Sequence, residues 1–258
     1  MTGIYEAYAL CAGTRTVDWS TRMYLHPIGE NRDLRLFHVG AQGAGRADRR
    51  RYRVHPPARP CQGASVAGFR TREELLHAAG LDATRVANVI LTHLHSDHFD
   101  VEGIFPGAVF WVQRTELDFW RVCCARERWH QPFVSDCFAE DLARCSPAAG
   151  CGSSTELEDV VDGVSLELVG GHSPGMQIVV VRSQRGLFVI ANDALTTYRN
   201  LRDWFPPAVQ VGDLRRCVDA MARIRILSNG DESRICPRHD GEILKRFPEV
   251  KPGVHRLV

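Results

Sequence analysis

The stretch from His93 to His98, with the sequence HLHSDH, follows directly on the apolar run 86–91. Such a run predicts a buried strand. Clustered nitrogen and oxygen ligands at the end of a buried strand are typical of a divalent metal site. Residues i and i+2 of an extended segment project to the same side, so His93 and His95 can reach one ion. Asp97 and His98 point elsewhere, which makes a two-metal site the first hypothesis.

Three further predicted strands end in a histidine or an aspartate. The strands at 164–169, 187–190 and 234–236 are each followed by one such residue: His172, Asp193 and His239. Taken alone, a histidine at a strand end is more often a hydrogen-bonded surface residue, and an aspartate there is more often a turn or helix cap. The joint arrangement favours ligands, because strand ends are where a rigid scaffold holds an open metal site.

The rest of the chain indicates an α/β protein with one domain spanning residues 1–258. A helix is predicted over 71–79, with Thr71 as its cap and Gly80 at its end, and further helices over 115–128 and 212–226. The segment 40–68 is rich in arginine and proline and has no apolar periodicity, so it is expected to be a loop or insertion.

Composition excludes several classes of protein. A net charge of +1 over 258 residues gives no electrostatic case for a nucleic-acid partner. Neither a secretory signal nor an apolar run long enough for a membrane span is visible, so no membrane partner is expected. The nine cysteines are odd in number and form no paired framework, which favours a reducing, cytoplasmic setting. A homodimer is one oligomeric state that the sequence leaves open.

The motifs HLHSDH, GHSPG, NDA and RHD, in this order and at these separations, resemble the metallo-β-lactamase superfamily. Within that superfamily the chain is most similar to the N-acyl-homoserine lactonases, the quorum-quenching branch. The segments 112–116, VQRTE, and 171–175, GHSPG, are typical of that branch. The early strand 5–10, leading into Cys11-Ala12-Gly13, matches it more loosely.

The resemblance implies an αββα sandwich, with two mixed sheets flanked by helices, and two divalent metal ions, usually zinc. Carried over by residue, the first ion would be bound by His93, His95 and His172. The second would be bound by Asp97, His98 and His239, and Asp193 would bridge both. The implied activity is a hydrolase in which a metal-bound hydroxide opens a small-molecule lactone or ester. Asp97 and Asp193 would then be catalytic as well as ligating.

The chain departs from the lactonase pattern in three places. The segment 36–40 occupies the position where many lactonases carry Asp-Thr-Gly, whose aspartate supports the metal ligands. Met176 stands where a histidine is common, and Thr196 where the branch has a tyrosine. Tyr198 lies two residues later, and two interpretations of it stay open: a donor to the oxyanion or the leaving group, or a packed pocket residue.

Two classes of function remain. The first is a metal-dependent hydrolase, whose substrate is a lactone or, as other superfamily members show, an ester, a thioester or a phosphoester. The second is a non-hydrolytic protein, either a degenerate metal-binding module or an iron-dependent redox relative. The redox branch usually has a fused second domain for which this chain has no room.

Overall fold

The computed structural model describes residues 3–24, 29–43, 51–54, 66–95, 97–99, 105, 107–126, 157–208 and 211–258. The strands within these residues are β1 Tyr5–Asp18, β2 Asn31–Gly43, β3 Arg51–Val54, β4 Val86–Ile90, β5 Val109–Trp111, β6 Glu158–Val161, β7 Val164–Leu168, β8 Gln177–Ser183, β9 Gly186–Asn192, β10 Ile235–Pro237, β11 Glu249–Lys251 and β12 Val254–Arg256. The α-helices are α1 Arg72–Ala79, α2 Arg114–Arg126, α3 Tyr198–Arg202, α4 Leu214–Leu227 and α5 Ile243–Arg246.

The strands form two mixed sheets. The larger has seven strands in the order β11-β12-β1-β2-β3-β4-β5, and the smaller has five in the order β10-β9-β8-β7-β6. In the larger sheet β4 runs parallel to both β3 and β5, while the other pairs are antiparallel. In the smaller sheet β10 runs parallel to β9, and β7, β8 and β9 form an antiparallel meander.

Side-chain alternation in β1 shows how the layers are stacked. Ala7 and Ala9 belong to the main core, together with residues of β8 and β9 from the other sheet. Leu10 faces the opposite side and packs with Leu75 of α1. Because successive strand residues point to opposite faces, β1 contributes to both the inter-sheet core and the outer helical layer.

Helices cover the outer faces of the two sheets. Trp120 of α2 packs in a second cluster with Val89 of β4 and Leu91. Helix α4 contacts β9 and buries Met221 and Ile224. The αββα sandwich with two mixed sheets is therefore confirmed.

The predicted helices agree with the structure to within two residues at each bound. Helix α1 begins at a capping box between Thr71 and Glu74 and ends at Gly80, whose φ of 69° is left-handed. Helix α4 spans 214–227 in place of the expected 212–226, and α2 begins at 114 in place of 115. Residues 127–128 of the expected span 115–128 lie outside the described residues.

The segment 40–68 differs from the expected loop. Residues 40–43 complete β2, and β3 is inserted between β2 and β4, antiparallel to one and parallel to the other. Strand β3 pairs through backbone hydrogen bonds with a neighbouring strand on each side. Backbone pairing leaves no apolar pattern in the sequence, so this strand was not predicted. The rest of this expectation, at 44–50 and 55–65, lies outside the described residues.

Within the described part of the chain, no helix combines the length and the apolar character needed to cross a membrane.

Truncating Met221 should destabilise the protein by about 2–5 kcal/mol, because Met221→Ala leaves a cavity between α4 and the smaller sheet. Met221 is 0% exposed, whereas Ile226 on the same helix is 68% exposed. The matched variant Ile226→Ala should change the free energy of unfolding by less than about 0.5 kcal/mol. Urea unfolding measures both, and equal effects would contradict the packing of α4 described above.

Candidate metal centre

The predicted ligands meet at one edge of the sandwich because of strand direction. Strands β7 and β9 run the same way, since both are antiparallel to β8, and β10 is parallel to β9. The residues that follow these three strands therefore emerge at the same edge of the smaller sheet. They are His172, Asp193 and His239.

Gln177 connects the segment that follows β4 of the larger sheet to this edge of the smaller sheet. Its backbone N–H donates to the Thr92 carbonyl at 2.9 Å, and its side-chain amide donates to the Leu91 carbonyl at 2.8 Å. The loop that begins at His93 is thereby fixed against the smaller sheet.

Three buried imidazoles form the first ligand group. His95 Nδ1 lies 3.1 Å from His93 Nε2 and 3.0 Å from His172 Nε2. Ligand atoms around a tetrahedral zinc ion lie roughly 3.3 Å apart, given zinc–nitrogen distances of about 2.0–2.1 Å. The three nitrogens converge at nearly this separation.

The second group contains Asp97, His98, Asp193 and His239. His98 Nε2 lies 2.6 Å from Asp193 Oδ2 and 3.4 Å from Asp97 Oδ2. His239 Nε2 lies 3.3 Å from Asp193 Oδ1. Asp193 Oδ2 is also 3.7 Å from His93 Nε2 in the first group, so this carboxylate reaches both groups. All seven sequence-predicted ligands are thus brought together.

This donor set fits two divalent cations. The unprotonated nitrogen of a neutral imidazole offers a lone pair, and three such nitrogens that converge on one point would coordinate an ion placed there. Imidazole and carboxylate ligands suit zinc, and the two carboxylates would offset part of the charge of two adjacent dications. His93, His95 and His172 would hold one ion, and the second group would hold the other.

The protonation states also suit cation binding. Burial lowers the pKa of His93 and His95 well below the usual value, and lowers that of His172 to about 4. Burial opposes ionisation of Asp193, but the adjacent His239 and His98 hold its pKa well below the ordinary range. At neutral pH His93, His95 and His172 are therefore neutral, and Asp193 is charged.

Glu116, at the start of α2, ties the two ligand loops together. Its buried carboxylate accepts four hydrogen bonds at 2.8–3.0 Å. The donors are Leu94 N–H in the first loop, the Trp120 indole, and the Ser173 hydroxyl and Gly175 N–H in the second loop. A Cβ on Gly175 would lie 2.3 Å from the Glu116 nitrogen, so this close approach requires glycine. Burial raises the pKa of Glu116, while the four donors lower it.

Backbone carbonyls orient His239. The ring Nδ1 of His239 contacts the Arg35 carbonyl of β2 at 3.1 Å, and its backbone N–H donates to the Thr196 carbonyl at 2.9 Å. The segment 36–40, which stands where many lactonases carry Asp-Thr-Gly, is part of β2, and its Phe37 and Val39 pack in the core. Thr196 contributes its backbone to the site, and Met176 is a buried core residue.

Tyr198 has the position of a packed residue. Its hydroxyl donates to the Ile235 carbonyl at 2.7 Å, and the Arg246 guanidinium lies 4.2 Å from its ring centroid. Burial raises the pKa of its phenol. The hydroxyl is committed to the backbone, so of the two interpretations of Tyr198 the structure favours the packed residue over the proton donor.

Three residues at the site carry roles that sequence reasoning did not assign. Glu116 and Gln177 act through hydrogen bonds between loops far apart in the chain. Arg238 is buried, with Nε 3.4 Å from His98 Nε2. The motif VQRTE had marked Glu116 as typical of a family, but spacing alone gives no sign of these contacts.

Glu116→Gln should destabilise the protein and loosen zinc binding. A buried amide NH₂ would face existing donors, and each unsatisfied pair costs about 1–3 kcal/mol. A loss of roughly 10- to 100-fold in zinc affinity is expected, because both ligand loops lose their common anchor. Thermal unfolding and competition with a zinc chelator measure the two effects.

Asp118→Asn provides the control, since Asp118 lies on the same helix with its side chain 59% exposed. It removes the same charge and should leave both quantities unchanged. A Glu116→Gln variant with zinc affinity equal to that of Asp118→Asn would contradict the anchoring role.

The metal-free protein should lose stability as the pH falls from about 6.5 to about 4. Unfolded His172 binds a proton near its ordinary value of 6.5, whereas the folded residue does so only near 4. Between these two pH values the unfolded state holds more protons than the folded state. The free energy of unfolding therefore falls by about 1.4 kcal/mol for each pH unit of acidification, for such a histidine. His98, whose pKa is raised above its ordinary value, acts in the opposite direction.

Denaturant unfolding at pH 7 and pH 5 tests this dependence. His172→Gln should have a shallower slope than the parent, since it removes one histidine with a lowered pKa. An unchanged slope would show that His172 does not contribute to it.

Comparisons with known proteins agree with this geometry. No family model matches the chain. An N-acyl homoserine lactonase of Bacillus cereus is 26% identical over 136 residues, which are 51% of this chain and 48% of the relative. The chain thus spans about half the length of the curated relatives it matches.

Solved structures match over nearly the whole chain. The crystal structure of a quorum-quenching N-acyl homoserine lactone lactonase superposes with a TM-score of 0.74 at 21% identity, covering 97% of this chain and 98% of that one. AidC, a dizinc quorum-quenching lactonase in complex with a product, gives 0.68 at 15% identity and covers 93% and 88%. The chain has the metallo-β-lactamase fold, and its similarity in sequence and structure is to the lactonase branch of that superfamily.

Proposed function

We propose that this protein is a dinuclear metal-dependent hydrolase that opens a lactone. The observation that carries the proposal is the position of Asp193. Its two oxygens lie within 3.7 Å of nitrogens from both ligand groups. One carboxylate shared between two histidine-rich groups is an arrangement suited to a pair of adjacent cations.

Hydrolysis of a lactone adds one water and breaks the acyl carbon–oxygen bond, leaving a hydroxy acid. Two bound dications would polarise the carbonyl and supply a nucleophile from water at neutral pH. The protein's own part is to hold the histidine ligands of the first group neutral and Asp193 anionic.

Asp97 marks the open side of the cluster. Its side chain is 38% exposed, whereas those of His93, His98, Asp193 and His239 are 5% exposed or less. Burial opposes its ionisation, but His98 holds its pKa well below the ordinary range. We therefore assign Asp97 both to the second ligand group and to the face at which substrate arrives.

The relatives support a lactone over other substrates. The curated relative and the first superposed structure are N-acyl homoserine lactonases, and AidC was determined in complex with a product, N-hexanoyl-L-homoserine. Zinc as the native metal rests on the ligand chemistry and on the dizinc relative.

A pH-stat assay on the zinc-loaded protein, with a panel of lactones, esters and thioesters, tests the reaction and its substrate class. Metal analysis of the same sample tests the site. We expect two equivalents of zinc and acid release from a lactone. Less than one equivalent in well-folded protein would favour the non-catalytic alternative.

Asp193→Asn should lower kcat by on the order of 100-fold or more, because the amide cannot neutralise two cations. It should also reduce bound zinc. Asp219→Asn, on an exposed position of α4, is the control and should match the parent in both measurements. Turnover by Asp193→Asn at the parental rate would refute the shared-ligand mechanism.

A further inference from the structure

Asn192 has an unusual backbone conformation directly before the shared carboxylate. It is the last residue of β9, and its φ of 49° lies in the left-handed region. Among the described residues other than glycine, only Asn192, Trp204 and Asn229 have a positive φ. Asparagine enters this region more readily than most residues that have a side chain. The chain therefore changes direction at Asn192, one residue before Asp193.

The pairing of β9 with β10 is irregular at the same place. Ile190 is opposite Cys236 in this parallel pair. The next residue of β10, Pro237, is opposite Asn192 and not opposite Ala191. Ala191 is thus an extra residue, as in a β-bulge. A bulge bends its strand and can redirect the side chain that follows.

A regular strand would direct Asp193 away from the larger sheet. Ile190 and Asn192 line a small cavity together with residues of β2, so this face of β9 lies towards the larger sheet. Alternate residues of a strand share a face, so an uninterrupted β9 would place Asp193 with Ala191 on the opposite face. The Asp193 Oδ2 lies instead 3.7 Å from Nε2 of His93, which follows the larger sheet. The bend at Asn192 accounts for this difference.

Two backbone hydrogen bonds hold the bend in place. The Ala194 N–H donates to the Ala191 carbonyl at 3.2 Å. The Leu195 N–H donates to the Asn192 carbonyl at 3.1 Å. These bonds join the residues on either side of Asp193, so the direction of its side chain is set by the backbone around it.

The side chain of Asn192 adds a cost and does not offset it. The residue is 5% exposed, and its Oδ1 is buried with no hydrogen-bond partner among the described residues. A buried amide oxygen without a partner lowers stability, and a left-handed backbone in a residue other than glycine does so as well. Such positions persist where the surrounding structure fixes them, and they cluster at functional sites.

We infer that Asn192 is a positioning residue of the metal centre. Its left-handed backbone turns the Asp193 carboxylate out of the direction of β9 and towards both ligand groups. The inference rests on the proposed dinuclear site and deepens it, because it assigns the residue that directs the shared ligand.

Zinc affinity, measured by competition with a chelator, tests this role with two variants at one position. Asn192→Val disfavours the bend, because a β-branched residue rarely adopts a positive φ. It should weaken zinc binding roughly 10- to 100-fold, as loss of support for a metal ligand does. Asn192→Gly removes the same amide but adopts a positive φ freely. It should bind zinc about as tightly as the parent.

Asn229→Val provides the matched control. Asn229 is exposed and has a φ of 56° in the turn after α4. Both valine variants should lower the urea midpoint of unfolding, since both disfavour a left-handed residue. Only Asn192→Val should also change the visible absorption of the cobalt-substituted protein, which reports the arrangement of the ligands around the ion.

Equal zinc affinities for Asn192→Val and Asn229→Val would overturn the positioning role. Weak zinc binding by Asn192→Gly would also overturn it, since the effect would then belong to the amide and not to the backbone. The hydrolase proposal fails separately. Zinc binding that depends on Asn192, in a protein that releases acid from no lactone, would support the positioning role and refute the hydrolase.

Discussion

The contact of one carboxylate with two histidine groups determines how this molecule is organised. Asp193 follows β9 and faces His93 from the larger sheet as well as His98 and His239. A buried negative charge is costly unless it is paired. Its partners come from two other strand ends, since His93 and His98 follow β4 and His239 follows β10. The topology of both sheets, with β10 parallel to β9, serves this convergence.

A second buried carboxylate, that of Glu116, holds two of the loops that carry candidate ligands in position. Glu116 binds no candidate ligand directly, yet its four hydrogen bonds join the loop that carries His95 to the loop that carries His172. The relative position of these two loops therefore depends on α2, which carries Glu116. Rigid support of this kind is what keeps metal ligands in place before an ion arrives.

Sequence reasoning selected seven residues at strand ends and in recognisable motifs, and the structure brings their side chains into two groups. Their role as metal ligands stays a prediction. Sequence reasoning predicted α1 for a similar reason, since Thr71, Glu74 and Gly80 are local signals. It did not find β3, whose existence depends on two neighbouring strand edges. Nor did it assign Glu116, Gln177 or Arg238, because their roles depend on contacts between residues distant in the chain. The choice between the two interpretations of Tyr198 likewise depended on the hydrogen bond from its hydroxyl to the Ile235 carbonyl.

The ligand groups draw on both sheets: His93 and His95 follow the larger sheet, and His172, Asp193 and His239 follow the smaller one. Ions bound by these ligands would connect the two sheets of the sandwich. Any ligand that binds only the folded state raises its stability in proportion to the logarithm of ligand concentration. The lifetime of the folded protein in a cell would therefore follow the local supply of zinc, quite apart from any reaction it catalyses.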